Sequence, residues 1–186
     1  MFKNLKMKTS LTSAITVLTI ICITILYIST QTGMTKLMKK SAQDSMKTSL
    51  NSQTTLISEY VSHQEDLLKK FSISPIIIDY LKDLNNKDKQ LKAQQFTENY
   101  FKGLDNWEGI YSGEWNTHVV THSNPKVVGM TTRKGDSLKA LQNAMKENNG
   151  LYNAGIIVSP ASQKLILSMY CPVYDTDGST IVGYVG

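Results

Sequence analysis

The sequence predicts an α+β protein: an N-terminal transmembrane helix, a long amphipathic helix, then an antiparallel sheet of about five strands flanked by helices. Three observations carry this. Leu11–Ile28 contains no charged residue. From Gln31 to about Phe71, apolar residues recur at spacings of three and four. At Asp105 the period falls to two, and short alternating runs follow, separated by Gly, Pro, Asn and Asp.

The uncharged run spans about 27 Å as a helix, close to the hydrocarbon thickness of a bilayer, and residues 29–30 complete a span at 11–30. Residues 1–10 carry Lys3, Lys6 and Lys8 and no acid, which favours a cytoplasmic tail; Lys36, Lys39 and Lys40 on the far side oppose that bias. The segment after the run, STQTGMTK, has no small-x-small cleavage pattern, so an uncleaved anchor in contact with lipid is expected rather than a signal peptide. Everything after it is expected outside the cytoplasm.

Residues 31–73 read as one juxtamembrane helix. Its stripe runs through Met34, Leu37, Met38, Met46 and Leu50 to Leu67, Leu68 and Phe71, with no proline. The Met- and Ser-rich first half suits a loose pairing with a second copy, so a homodimer is expected. Residues 74–186 form the folded domain. Ser74-Pro75 supplies an N-cap and a first-turn proline for a helix over Pro75–Leu84. NNKDK reads as a polar turn, and Gln90–Lys102 as a helix burying Leu91, Phe96, Tyr100 and Phe101, ended by Gly103.

In DNWEGIYSGEW, alternation puts Trp107, Gly109, Tyr111, Gly113 and Trp115 on one face of a first strand. His118–His122 is a second. After a loop, a helix capped by Asp136 presents Leu138, Leu141, Ala144 and Met145 on one face, and Asn148-Asn149-Gly150 stops it. Tyr152–Val158, Leu165–Tyr174 and Ile181–Val185 are the remaining strands. Ser159-Pro160-Ala161-Ser162 turns the first pair and Asp177-Gly178 the second. The order implies a single antiparallel sheet with helices on one side and a ligand-sized hollow on the other.

Charge excludes a nucleic-acid partner. The net +5 is shared between the tail and residues 31–104, which carry 11 Lys against 8 acids, and forms no basic stripe with Arg in it. Cys22 lies in the anchor and Cys171 in the domain, so no disulfide is expected and the domain depends on its core. Catalysis finds no constellation. His118 and His122 sit about 13 Å apart along a strand, too far to share a metal, and Glu108 and Glu114 about 20 Å apart, too far for a paired acid and base. Cys171 alternates with Leu167, Met169 and Val173 as a core residue. Neither a metal nor another cofactor is expected, and the chain reads as a non-enzyme.

Arg133 is the most informative side chain, because it is the one arginine in a chain whose other 19 basic residues are lysine. A guanidinium forks onto a carboxylate where an ammonium is a solvated point charge. A salt bridge to Asp136 is the competing use. Trp107, Tyr111, Trp115, Tyr152 and Tyr170 all come from strands or strand edges, and an aromatic-lined hollow with a few polar groups is the usual form of a small-ligand site. Trp107 and Tyr111 compete with ordinary core packing, and Trp115 falls at the mouth.

The segments IYSGEWNTHVVTHSNPKVVGMTTRKGD, YNAGIIVSPASQ, LILSMYCPVYDTDG and IVGYVG together resemble the extracytoplasmic Cache sensor domain of bacterial methyl-accepting chemotaxis proteins. The resemblance covers roughly residues 31–186 and rests most on His122–Met130 and Pro172–Gly186. It implies a PAS-like sheet, a small-molecule pocket and dimerisation through the long first helix. A whole receptor would add a second transmembrane run and a signalling coiled coil, so the sequence reads as an N-terminal fragment whose sensor domain is truncated at its C-terminus. The expected function is a membrane chemoreceptor's sensing region, with an organic acid or amino acid as ligand. The expected ligand-binding residues are Arg133, Trp115, Tyr111, Tyr152, Tyr170 and His118. A histidine kinase or nucleotide cyclase output is the nearest alternative. A membrane-anchored extracytoplasmic enzyme or a structural surface protein is the alternative from another class.

Overall fold

Helical spacing, then alternation, appears among the described residues of the computed structural model as four α-helices, one short 3-10 helix and five strands. The model describes residues 2–147, 150–159 and 162–186, with side chains from Thr9 onward. Parts of two expected turns, Asn148-Asn149 and Pro160-Ala161, lie outside the described residues, as does Met1. The chain divides into two units, Met1–Ser58 and Glu59–Gly186.

In the first unit the backbone is helical, as part of α1 (Phe2–Ser72). Its N-terminal part is long and apolar enough to cross a membrane by length and composition. Leu11, Ile15, Leu18, Ile23 and Leu26 are all exposed. The threonines in this run do not leave hydroxyls unsatisfied: Thr16, Thr19 and Thr24 each donate to the carbonyl four residues earlier, at 2.9, 2.7 and 2.8 Å. That local bonding satisfies the hydroxyls within the helix itself. Met34, Leu37, Met38, Met46 and Leu50 are exposed as well.

The second unit is built on the sheet. Its strands are β1 (Tyr111–Gly113), β2 (Val119–His122), β3 (Tyr152–Val158), β4 (Leu165–Tyr174) and β5 (Ile181–Val185). They pair antiparallel throughout, in the order β2-β1-β5-β4-β3. The bounds of β3, β4 and β5 are those expected from alternation and turn chemistry. Gly178 turns β4 into β5 at φ +70°, with Asp177 Oδ1 accepting from the backbone N–H of Ser179 and Thr180 at 2.8 Å each.

On one face of the sheet, Met169, Cys171 and Val173 of β4 and Val185 of β5 are buried against Leu68 and Phe71 of α1 and Ile77 and Leu81 of α2 (Pro75–Lys82). The rings of Phe71, Phe96 and Tyr100 pack at centroid distances of 5.1–5.8 Å, so α3 (Lys87–Lys102) closes the same core. A buried hydroxyl chain ties α3 to the sheet. Thr97 Oγ1 donates to Thr121 Oγ1 at 2.9 Å, which lies 2.7 Å from Ser112 Oγ.

The other face is not bare. Leu141 and Met145 of α4 (Gly135–Glu147) are buried there with Tyr170 and Tyr184. Helices therefore cover both faces, because the apolar stripe of α4 needs a partner as much as those of α2 and α3 do.

Local chemistry corrects several boundaries. Ser74 stands at the N-cap of α2 without a side-chain cap bond; its carbonyl takes the N–H of Ile77 and Ile78 at 3.0 Å instead. Helix α3 begins inside the expected polar turn, since Asn86 Oδ1 accepts from the N–H of Asp88 and Lys89 at 3.1 Å each. Its buried positions are Ala93 and Thr97, and Leu91 is exposed. Asp136 lies in the first turn of α4 rather than at its cap. Trp107 packs on the first core, away from Tyr111, because β1 begins only at Tyr111 and residues 105–110 are turn and irregular chain, so the alternation does not reach back to Trp107.

Candidate functional site

Two glycines and a tight turn shape the region around Arg133. Strand β1 ends at Gly113, where a Cβ would stand 2.6 Å from Tyr184 Cε1; the bare glycine lets the Tyr184 ring lie across the neighbouring strand. The chain then turns over Glu114–His118. The N–H of Glu114 reaches His118 O, the N–H of Thr117 reaches Glu114 O, both at 2.8 Å, and Asn116 Oδ1 accepts from His118 N–H at 2.9 Å.

The following loop returns along the outer edge of β2. Gly129, in the left-handed region at φ +92°, donates to Val119 O at 2.8 Å, and Val119 donates to Met130 O at 2.8 Å. Thr131 stays at that edge, and Thr132 and Arg133 then lie in a strap over the tyrosine face. His118 Nδ1 is 3.4 Å from Thr131 Oγ1, Thr132 Oγ1 is 3.4 Å from Tyr184 Oη, and Arg133 Nη2 donates to Tyr170 Oη at 3.0 Å.

Beneath the strap the rings are continuous. Tyr111 meets Tyr184 edge-on at 5.7 Å, Tyr184 meets Tyr170 at 6.4 Å, and Tyr170 meets Tyr152 at 6.3 Å. Trp115 packs beside them; its carbonyl accepts from Gln142 Nε2 of α4 at 2.8 Å, and Lys146 Nζ lies 5.8 Å from its ring centroid. Burial, then the neighbouring phenols, holds the Tyr111 hydroxyl well above the ordinary phenol range. Burial likewise raises Tyr184. Both are hydroxyls, not phenolates, at neutral pH.

Arg133 is half-buried. Burial works against its charge, and the bond to Tyr170 Oη and the surrounding phenols outweigh it, so its pKa moves up and it stays cationic. Among the described residues the ion pairs are Lys82–Asp175 at 2.7 Å and Lys89–Asp83 at 3.2 Å. Arg133 thus has no carboxylate partner there, and the alternative bridge to Asp136 is not formed. The guanidinium instead meets the Tyr170 hydroxyl and lies 5.4 Å from that ring's centroid.

Five of the six expected residues, Arg133, Tyr170, Tyr111, Tyr152 and Trp115, come together here. His118 does not join them and sits at the sheet edge against Thr131. Sequence reasoning missed Tyr184, Thr132 and Thr117. Tyr184 carried a usable signal, being an aromatic in alternation between Gly183 and Gly186. Among the described residues no group of three or more His, Cys, Asp or Glu side chains is placed to hold a metal.

His122 is buried beside this site, stacked on Tyr111 at 5.5 Å, with Nδ1 accepting the Asn124 N–H at 2.8 Å. Burial lowers its pKa to about 4, against about 6.5 when unfolded. Below pH 6.5 the unfolded chain therefore takes up a proton that the folded chain refuses. This contribution to stability is complete above that pH and fades as pH falls toward 4. Lowering the pH from 7 to 5 is expected to remove about 2 kcal/mol. Denaturant titrations of the wild type and His122→Asn at both pH values check this; an equal loss in the variant would assign the effect to other groups.

No family model and no curated protein matches the chain. Its fold is similar to the crystal structure of the sensor domain of the V. cholerae histidine kinase DctB, with a TM-score of 0.63 at 12% identity, over 78% of this chain and 55% of that one. The chain thus spans little more than half of that domain. The E. coli DcuS sensor domain is more distant, with a TM-score of 0.48 at 18% identity over 68% of this chain and 86% of that one. The first likeness shows that the chain shares that domain's fold, a PAS-like antiparallel sheet flanked by helices.

Proposed function

We propose that this chain is the ligand-sensing region of a membrane-anchored receptor, and that Arg133 takes the carboxylate of a small organic acid or amino acid. The observation that carries this is the Arg133 guanidinium, half-buried on the tyrosine face and without a carboxylate among the described residues. Tyr170 offers a hydroxyl beside it, and the aromatic rings on the same face would enclose the ligand's carbon skeleton. Residues 11–30 anchor the chain, residues 31–73 lead away from the bilayer as a helix that pairs with a second copy, and residues 74–186 form the Cache-like sensor outside the cell. No chemistry is performed on the ligand. Binding acts only through its differential affinity for two arrangements of the receptor.

Two outputs remain in play for the whole protein, a chemoreceptor and a histidine kinase. The sequence resemblance supports the first. The fold likeness to a histidine kinase sensor supports the second equally.

The test is a thermal-shift screen of the full chain in lipid nanodiscs against small carboxylates, amines and uncharged metabolites. A carboxylate present at 100 times its Kd is expected to stabilise the native state by about 2.7 kcal/mol. A shift produced only by amines or uncharged compounds would remove Arg133 from its role. No shift from any class would overturn the sensor reading.

A further inference from the structure

We infer that Thr117 is a positioning residue for Arg133: a strained threonine whose hydroxyl clips the arginine's peptide from both sides. The inference rests on the reading of Arg133 as the ligand's partner. Thr117 is fully buried and has φ +68°. A β-branched residue in the left-handed region is a genuine outlier, since its Cβ substituents crowd the backbone; glycine or asparagine is the usual choice there. A tight turn alone would be better served by glycine.

What glycine lacks is the hydroxyl. Thr117 Oγ1 donates to the Arg133 carbonyl at 3.0 Å and accepts the Arg133 N–H at 3.0 Å. Its own carbonyl accepts the N–H of Thr132 at 3.1 Å. One hydroxyl, used as donor and acceptor together, holds both polar groups of the residue that carries the guanidinium. The arginine side chain is long, and a small rotation of its peptide moves the charged end by ångströms. Fixing that peptide keeps the guanidinium against Tyr170 before any ligand arrives, which is how a binding site avoids ordering losses on association. The strain at Thr117 is tolerated because the clip over-determines it.

Arg133 is the one arginine of the chain, so a guanidinium-selective reagent reports on it alone. The experiment is phenylglyoxal labelling of the full chain in nanodiscs, followed by mass spectrometry, well below the melting temperature of every variant. Thr117→Gly relieves the strain and removes the hydroxyl; Thr117→Val keeps the shape and removes the hydroxyl; Thr117→Ser keeps the hydroxyl. The first two are expected to raise the Arg133 labelling rate at least about fivefold over wild type, and Thr117→Ser to stay within about twofold. Val173→Ala, which thins the opposite core and leaves Thr117 intact, is expected to label at the wild-type rate despite its lower stability. Wild-type rates in both Thr117→Gly and Thr117→Val, or an equal rise in Val173→Ala, would overturn the proposal. Acetate, malonate and glutamate are then added to the wild type as protectants. If none slows labelling while the variants behave as expected, the clip stands and the carboxylate reading of the site falls.

Discussion

Gly183→Ala is expected to lower the unfolding free energy by about 2–3 kcal/mol, the range of an overpacked core position. Gly183 lies in β5, between β1 and β4, with α2 above it. A Cβ there would stand 2.6 Å from the Gly113 carbonyl oxygen of β1 and 2.9 Å from both Leu81 methyls of α2. Leucine can rotate away at modest expense, but the strand backbone cannot move without opening the sheet. Gly178→Ala is the informative comparison. Its φ of +70° strains any side chain, yet nothing lies within 4 Å of the added carbon, so only about 1 kcal/mol of conformational strain is expected. Denaturant titrations of both variants separate the two kinds of glycine. Equal losses would mean that space at Gly183 is not what the sheet requires.

Gly183 and Gly113 also mark where sequence reasoning stops. The bounds of β3, β4 and β5 followed from alternation and an Asp-Gly turn, because those signals act between residues a few positions apart. The start of α3 was missed because Asn86 reads as turn or cap with equal ease, and only the backbone decides which N–H groups it meets. Alternation placed Trp107 with Tyr111, but the chain is extended only from Tyr111 onward, so the two fall in different clusters. Arg133 was legible from composition alone, as a single guanidinium among lysines. Its surroundings were not. The bond to Tyr170 joins residues 37 apart in sequence, and the Thr132–Tyr184 approach joins residues 52 apart. Thr117, 16 residues away, looks in the sequence like any polar loop residue. Its importance is a matter of φ and of where one hydroxyl points.

Arg133→Lys carries the largest expected functional effect. Charge is kept and the fork is lost, so the affinity for a carboxylate ligand should fall by about 1.5–3 kcal/mol, roughly ten- to a hundredfold. The backbone clip to Thr117 does not involve the side chain and should persist. The hydrogen bond from Nη2 to Tyr170 Oη is lost from the folded state, along with the guanidinium's place 5.4 Å from the Tyr170 ring centroid, which lowers stability by about 1 kcal/mol. Tyr170→Phe removes that same bond and leaves the guanidinium whole. If Arg133 serves the ligand, the two variants should lose similar stability while Arg133→Lys loses much more affinity. If Arg133 serves only to pin Tyr170, both should change stability alike and affinity hardly at all. Asp136→Asn completes the set. Asp136 forms no ion pair with Arg133 and sits in the first turn of α4, so its loss should cost only the few tenths of a kcal/mol due to a carboxylate near a helix N-terminus. Calorimetric affinities and melting temperatures on these three variants decide whether the lone arginine is a recognition element or a strut.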